Sequence, residues 1–133
     1  MSKLSIWSIR LALICLIAGW AIGAVLMINR AWGLAGWPWK LVDLHVALVL
    51  FGWTLQVVVG VAYWMLPTFG GRSNRGREKA ALMSVVAINL GIVWVVAGVF
   101  FSPAAPVVAT VFWLVAVLSF GWHAWPRIKA FGA

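Results

Sequence analysis

Carboxylates are nearly missing from this 133-residue chain, which has two acidic residues against ten lysines and arginines, with one cysteine and one tyrosine. A lone cysteine, Cys15, rules out a disulfide framework and a paired-thiolate metal site, and its depth in the first hydrophobic run makes it a packing residue. No membrane-embedded carboxylate or broken helix is visible, which speaks against a proton or small-solute carrier. Charge of either sign is scarce at 9%, while hydrophobic residues make up 65% and mean hydropathy is +1.07. Soluble domains carry roughly 25% charged and 45 to 50% apolar residues. The chain reads as an integral membrane protein.

What is present is long apolar sequence divided by charges and by Pro/Gly clusters. Spans of about 20 residues fit four times, at 5–29, 41–66, 80–101 and 107–125, as one membrane domain over 1–133. The expected fold class is all-α, a four-transmembrane-helix bundle. The first span is too long for a removable signal peptide and lacks its small-residue cleavage pattern, so it is expected to stay. The connector at 30–40, with Trp32, Trp37, Trp39, Arg30 and Lys40, has the composition of a segment lying at headgroup level. Pro67 stops the second span, and the polar stretch at 70–79 cannot be buried in lipid.

Eight cations lie on one side of these spans: Lys3, Arg10, Arg72, Arg75, Arg77, Lys79, Arg127 and Lys129. Arg30 and Lys40 lie on the other. The positive-inside rule puts both termini and the middle loop in the cytoplasm. A net charge of +8 raises the question of nucleic acid, but these cations flank spans and form no face with base-stacking aromatics. The partner they imply is the anionic lipid of the bilayer. Of the eleven tryptophans, Trp7, Trp32, Trp37, Trp39, Trp64, Trp122 and Trp125 fall near span ends as interfacial anchors. Trp20, Trp53, Trp94 and Trp113 lie deeper, where indole N–H groups want partners.

The most informative residue is His45, about one turn inside the second span. An imidazole at bilayer depth is costly unless it faces protein and has a partner, which makes it a candidate functional residue. At about 100° per residue, His45, Gly52, Gln56 and Tyr63 fall within roughly 20° of one line. They form a polar stripe with a gap at Gly52, where a neighbouring helix or a planar macrocycle can approach the backbone. Leu48, Val49, Val59 and Gly60 border it with an apolar groove. Helix packing alone explains the stripe as well. In the other spans, Gly19 and Gly23 have GxxxG spacing, Ser84, Gly91 and Gly98 recur every seven residues, and Asn89 is a buried amide in need of a bond.

The second histidine, His123, belongs near the opposite end of the bundle. At about 1.5 Å per residue the two histidines should lie some 20 Å or more apart in depth, so they cannot share a metal within one chain. Between Trp122 and Trp125, His123 reads as an interfacial residue. A haem iron takes one or two axial ligands, and His45 supplies one. The other has two sources at its depth: Met27 of the same chain, or His45 of a second copy across a two-fold axis. Bare metal binding is weaker, because no cluster of ligating side chains surrounds His45.

The run Leu44-His45-Val46-Ala47-Leu48-Val49-Leu50-Phe51-Gly52-Trp53, continued by Gly60-Val61-Ala62-Tyr63-Trp64-Met65-Leu66-Pro67, resembles the second helix of subunit I of haem-copper oxidases and nitric oxide reductases. It is most similar to the small stand-alone membrane proteins labelled subunit-I-like, with Asn89-Leu90-Gly91 as a short further match. The resemblance implies that His45 is an axial ligand of a low-spin haem. The opposite haem ligand, the copper ligands and the high-spin haem ligand have no counterpart here, so stand-alone oxidase activity is not expected.

The resulting expectation is a b-type haem-binding protein of the bacterial inner membrane, serving electron transfer or haem/gas-ligand binding, with His45 at a homodimer interface. Gln56 and Tyr63 are candidates for hydrogen bonds around the site, and Arg30 and Lys40 for the haem propionates. The alternative is a cofactor-free accessory or assembly subunit that docks on a larger respiratory complex.

Overall fold

In the computed structural model, residues 2–33, 36, 41–68, 75–101 and 104–128 are described. They form four helices, each long and apolar enough to cross a membrane, with no strand among the described residues. We number them α1 (Lys3–Trp32), α2 (Leu41–Met65), α3 (Glu78–Phe100) and α4 (Ala105–Ala124), the last continuing into a 3₁₀ turn, Trp125–Arg127. The expected spans match these helices to within about three residues at each end, the drift normal for frayed helix ends. Lys40, Arg72, Lys129, Trp37 and Trp39 lie outside the described residues, as do most of the 30–40 connector and the first half of the 70–79 loop.

Local chemistry sets the ends. Ser2 caps α1, its Oγ accepting from the Ser5 backbone N–H at 3.2 Å, which satisfies one of the orphan donors of a first turn. Gly33 closes α1 in the left-handed region (φ 60°), and its N–H donates to the Asn29 carbonyl at 2.8 Å. Glycine is the residue that takes this conformation without steric cost. α2 stops at Leu66, whose ψ of 142° is extended, as expected of a residue that precedes a proline. Pro106 sits at the start of α4, where the missing N–H costs nothing.

The helices run antiparallel in sequence order, so the described ends Ser2 and Ile128 leave the bundle at one end, together with the α2–α3 connection. That end carries Lys3, Arg10, Arg75, Arg77, Lys79 and Arg127, and we call it the basic end. α1 packs along α2, α3 packs along α4, and α2 joins the two pairs. The helix contacts rest on missing side chains: a Cβ on Gly19 would meet Val49 Cγ2 at 2.8 Å, and one on Gly98 would meet the Ala105 Cβ at 2.5 Å. Lipid offers helices no hydrophobic reason to associate, so such close backbone approach supplies the packing. Phe51 of α2 stacks on Trp113 of α4 at 3.7 Å, and the Trp113 indole N–H donates to the Ile88 carbonyl at 3.3 Å. Asn89 meets its need inside its own helix, donating to the Val85 carbonyl at 2.8 Å.

One feature of α2 is absent from the sequence expectation. Its centre, Ala47–Leu55, is a π-helix, flanked by α-helical Leu41–Val46 and Gln56–Met65. Each π turn closes on the fifth residue instead of the fourth, so the helix winds less per residue there. Thr54 Oγ1 follows the wider turn, donating to the Val49 carbonyl at 3.0 Å. At uniform α winding Tyr63 shares the line of His45 and Gly60 lies about 60° away. In the structure Gly60 faces α1, against Ser8 and Ile9, whereas Tyr63 faces His123 of α4.

Candidate functional site

The expected stripe is therefore divided between two places. His45 is half-buried against the GxxxG pair of α1. Its Nδ1 lies 2.9 Å from the Gly19 carbonyl oxygen, and its ring lies over Gly23, where a Cβ would meet Cε1 at 2.8 Å. A carbonyl only accepts, so Nδ1 carries the proton, and in that neutral tautomer Nε2 would be the lone pair. No hydrogen bond to Nε2 occurs among the described residues. Metal-ligating histidines are characteristically held this way, the second ring nitrogen donating to a backbone carbonyl or a carboxylate.

The other expected residues lie at varied distances from this imidazole. Gly52 is in contact with α1 and α3: a Cβ there would meet Cys15 Cβ at 2.8 Å, Cys15 Sγ at 2.9 Å and Ile92 Cδ1 at 3.1 Å. Of the two uses foreseen for the gap, the neighbouring helix has taken it. Gln56, eleven residues and roughly 16 Å along the helix from His45, is fully buried, and neither its Nε2 nor its Oε1 finds a partner. Its backbone carbonyl accepts from Ser8 Oγ at 2.9 Å. Tyr63 lies eighteen residues further along α2, at the basic end. Met27 is 67% exposed on α1, and Arg30 is exposed in the last turn of that helix. No group of three His, Cys, Asp or Glu side chains converges among the described residues.

Sequence reasoning missed a second polar centre, at the basic end. His123, read from the sequence as an interfacial residue, is fully buried at this end of the bundle. Its Nδ1–H donates to the Arg77 carbonyl at 3.0 Å, and its Nε2 accepts from Arg127 Nη1 at 2.6 Å. The guanidinium thus occupies the lone pair that at His45 is unused, so His123 has no donor left for a metal. Arg127 is itself fully buried. Its Nε donates to the Pro67 carbonyl at 2.8 Å, and its Nη2 to the carbonyls of Leu66 at 2.5 Å and Tyr63 at 3.4 Å. These are carbonyls left unpaired where α2 ends, and a cation suits the negative end of a helix.

Around this pair the aromatic residues are arranged for cations. The Tyr63 ring stacks on His123 at 5.2 Å, and the guanidinium carbons of Arg75 and Arg127 lie 5.3 and 5.8 Å from its centroid. Arg77 lies 4.0 Å from the Trp122 ring and donates to the Trp122 carbonyl at 3.2 Å. The usable signal was the spacing: His123 and Arg127 are four apart on one helix, a distance at which side chains meet.

Compared with protein-family models, with curated proteins and with solved structures, the chain matches none of them.

Proposed function

We propose that this protein binds haem b in the membrane through His45, as an electron-transfer or haem/gas-ligand protein. The observation that supports the reading is the Nδ1–H···O=C bond to Gly19, which favours the tautomer a metal ligand needs and leaves Nε2 without a hydrogen bond among the described residues. A haem supplies one-electron chemistry at a potential set by its axial ligand and burial. The chain's own residues orient the imidazole: Gly19 by its carbonyl, Gly23 by leaving the ring space against α1.

His45 would hold the group through its imidazole. The gap at Gly52 is filled from α1 and α3, so the group does not lie between those helices, and the face around exposed Trp20, Val46 and Leu50 is left for it. In a homodimer, His45 of a second copy would supply the further ligand; Met27 of the same chain is the alternative. Arg30 is an available cation for the propionates. The chain's resemblance to oxidase subunit I in its second helix agrees with this role, and the cation bias supports a cytoplasmic basic end, with a bacterial inner membrane as the proposed location.

The filled gap at Gly52 and the interhelical bond of His45 favour the second reading, a cofactor-free accessory subunit in which this histidine holds α1 to α2. Purified protein separates the two. A Soret band that disappears in His45→Ala, at one haem per two chains, supports the haem dimer. Colourless protein from haem-sufficient cells overturns it and leaves the accessory role.

A further inference from the structure

The basic end holds more positive charge than the chain can neutralise. Arg75, Arg77, Lys79 and Arg127 gather where α2 and α4 finish and α3 begins. The sequence has two side-chain carboxylates in all. One of them, Asp43, lies in the first turn of α2, at the opposite end of the bundle. That leaves Glu78, in the first turn of α3, against four cations.

Two of the guanidiniums are drawn at least partly into the fold. Arg127 is fully buried, with its donors spent on carbonyls and on His123. Arg75 lies over the same Tyr63 ring, and its Nη1 is buried yet donates to nothing among the described residues. A charged donor withdrawn from water without an acceptor is unfavourable, and an oxyanion is the acceptor that best satisfies it. Arg77, stacked on Trp122, stands one residue beyond Gly76 with its head exposed.

We propose that Arg75, with Arg77 beside it and Arg127 behind the Tyr63 ring, forms a binding site for a phosphate oxyanion. The position agrees with the chemistry, since three of the four spans end here, at the level where a bilayer presents its phosphodiesters. The site is independent of what His45 ligates. Its ligand is the phosphate of an anionic lipid headgroup or a soluble phosphate.

The test uses the full chain in neutral detergent and follows thermal unfolding while phosphatidylglycerol, phosphatidylcholine or inorganic phosphate is added. Phosphatidylglycerol is expected to raise the midpoint saturably, with phosphatidylcholine giving little change. Inorganic phosphate that gives the same rise at millimolar concentration assigns the site to the soluble ion, and no rise assigns it to the lipid. Arg75→Gln should lose most of the rise, while Arg10→Gln, which removes the same charge from an exposed position at that end, should keep it. Equal responses to both phospholipids with none to phosphate, or equal losses in the two variants, overturn the proposal in favour of diffuse charge attraction.

Discussion

His123 and Arg127, one turn apart on α4, share a 2.6 Å hydrogen bond that runs from the guanidinium to the imidazole Nε2. It makes the two histidines of this protein chemically opposite. Both donate from Nδ1 to a backbone carbonyl, but the second nitrogen of His123 is spent inside the fold, while that of His45 is not. From Arg127 the bonding continues to the carbonyls of Tyr63, Leu66 and Pro67 where α2 ends, so one side chain ties the end of α4 to the end of α2. Arg127→Lys keeps the charge and loses the fork geometry. It is expected to lower stability by about 1.5–3 kcal/mol, the range for hydrogen bonds to charged groups, measured by unfolding in detergent. Wild-type stability in this variant would mean that α2 does not depend on the cap.

His45 tests the other end. Gly23→Ala puts a methyl group 2.8 Å from Cε1 of the ring, so the imidazole must shift off the Gly19 carbonyl. Overpacking of this kind costs about 1–3 kcal/mol. If haem is bound, the Soret maximum should move or weaken at the same time; an unchanged spectrum and midpoint would show that the ring is not seated on Gly23.

Met27 is 67% exposed on α1, one turn beyond Gly23, and in the proposed dimer the second ligand is His45 of the other copy. Met27→Ala is therefore expected to leave a low-spin haem spectrum unaltered with the dimer intact. Conversion to a high-spin spectrum would return Met27 to the role of axial ligand.

Glycines of equal sequence standing should differ in sign. A Cβ on Gly91 would collide with the Trp113 indole, whereas one on Gly121 meets nothing within 4 Å. Gly91→Ala should destabilise the α3–α4 pair, and Gly121→Ala should stabilise the protein by about 0.5–1 kcal/mol, the helix-interior advantage of alanine. The comparison needs only two unfolding curves.

Gln56 has its amide fully buried and both polar atoms unpaired. Removing an unsatisfied group recovers about 1–3 kcal/mol, so Gln56→Leu should raise the unfolding midpoint. A drop would show that the amide holds a bound water or a ligand.

The spans and their ends were legible because lipid imposes a simple rule: twenty apolar residues, then charge, glycine or proline. Pro67, Gly33 and Pro106 each mark an end for a reason that is local in the chain. The helix faces were less legible. The periodicity that aligned His45 with Tyr63 assumes one winding angle, and Ala47–Leu55 departs from it with no glycine or proline pattern that announces a π-helix. The GxxxG pair was visible as a contact, but its occupant, the His45 ring, was not. The burial of His123 was not legible from its flanking tryptophans; a fully buried cation four residues on is a tertiary fact, made possible by the carbonyls at the end of α2 some sixty residues earlier.

The π segment also governs how this chain tolerates insertion and deletion. Because nine residues of α2 are underwound, its two ends hold separate angular settings, one directing His45 to α1 and the other directing Tyr63 to α4. Losing a residue within 47–55 lets the backbone tighten to α winding and turns one end against the other, so that both polar centres fall out of alignment together. Losing one from the connectors changes neither setting. Length in the middle of this helix is a form of aim.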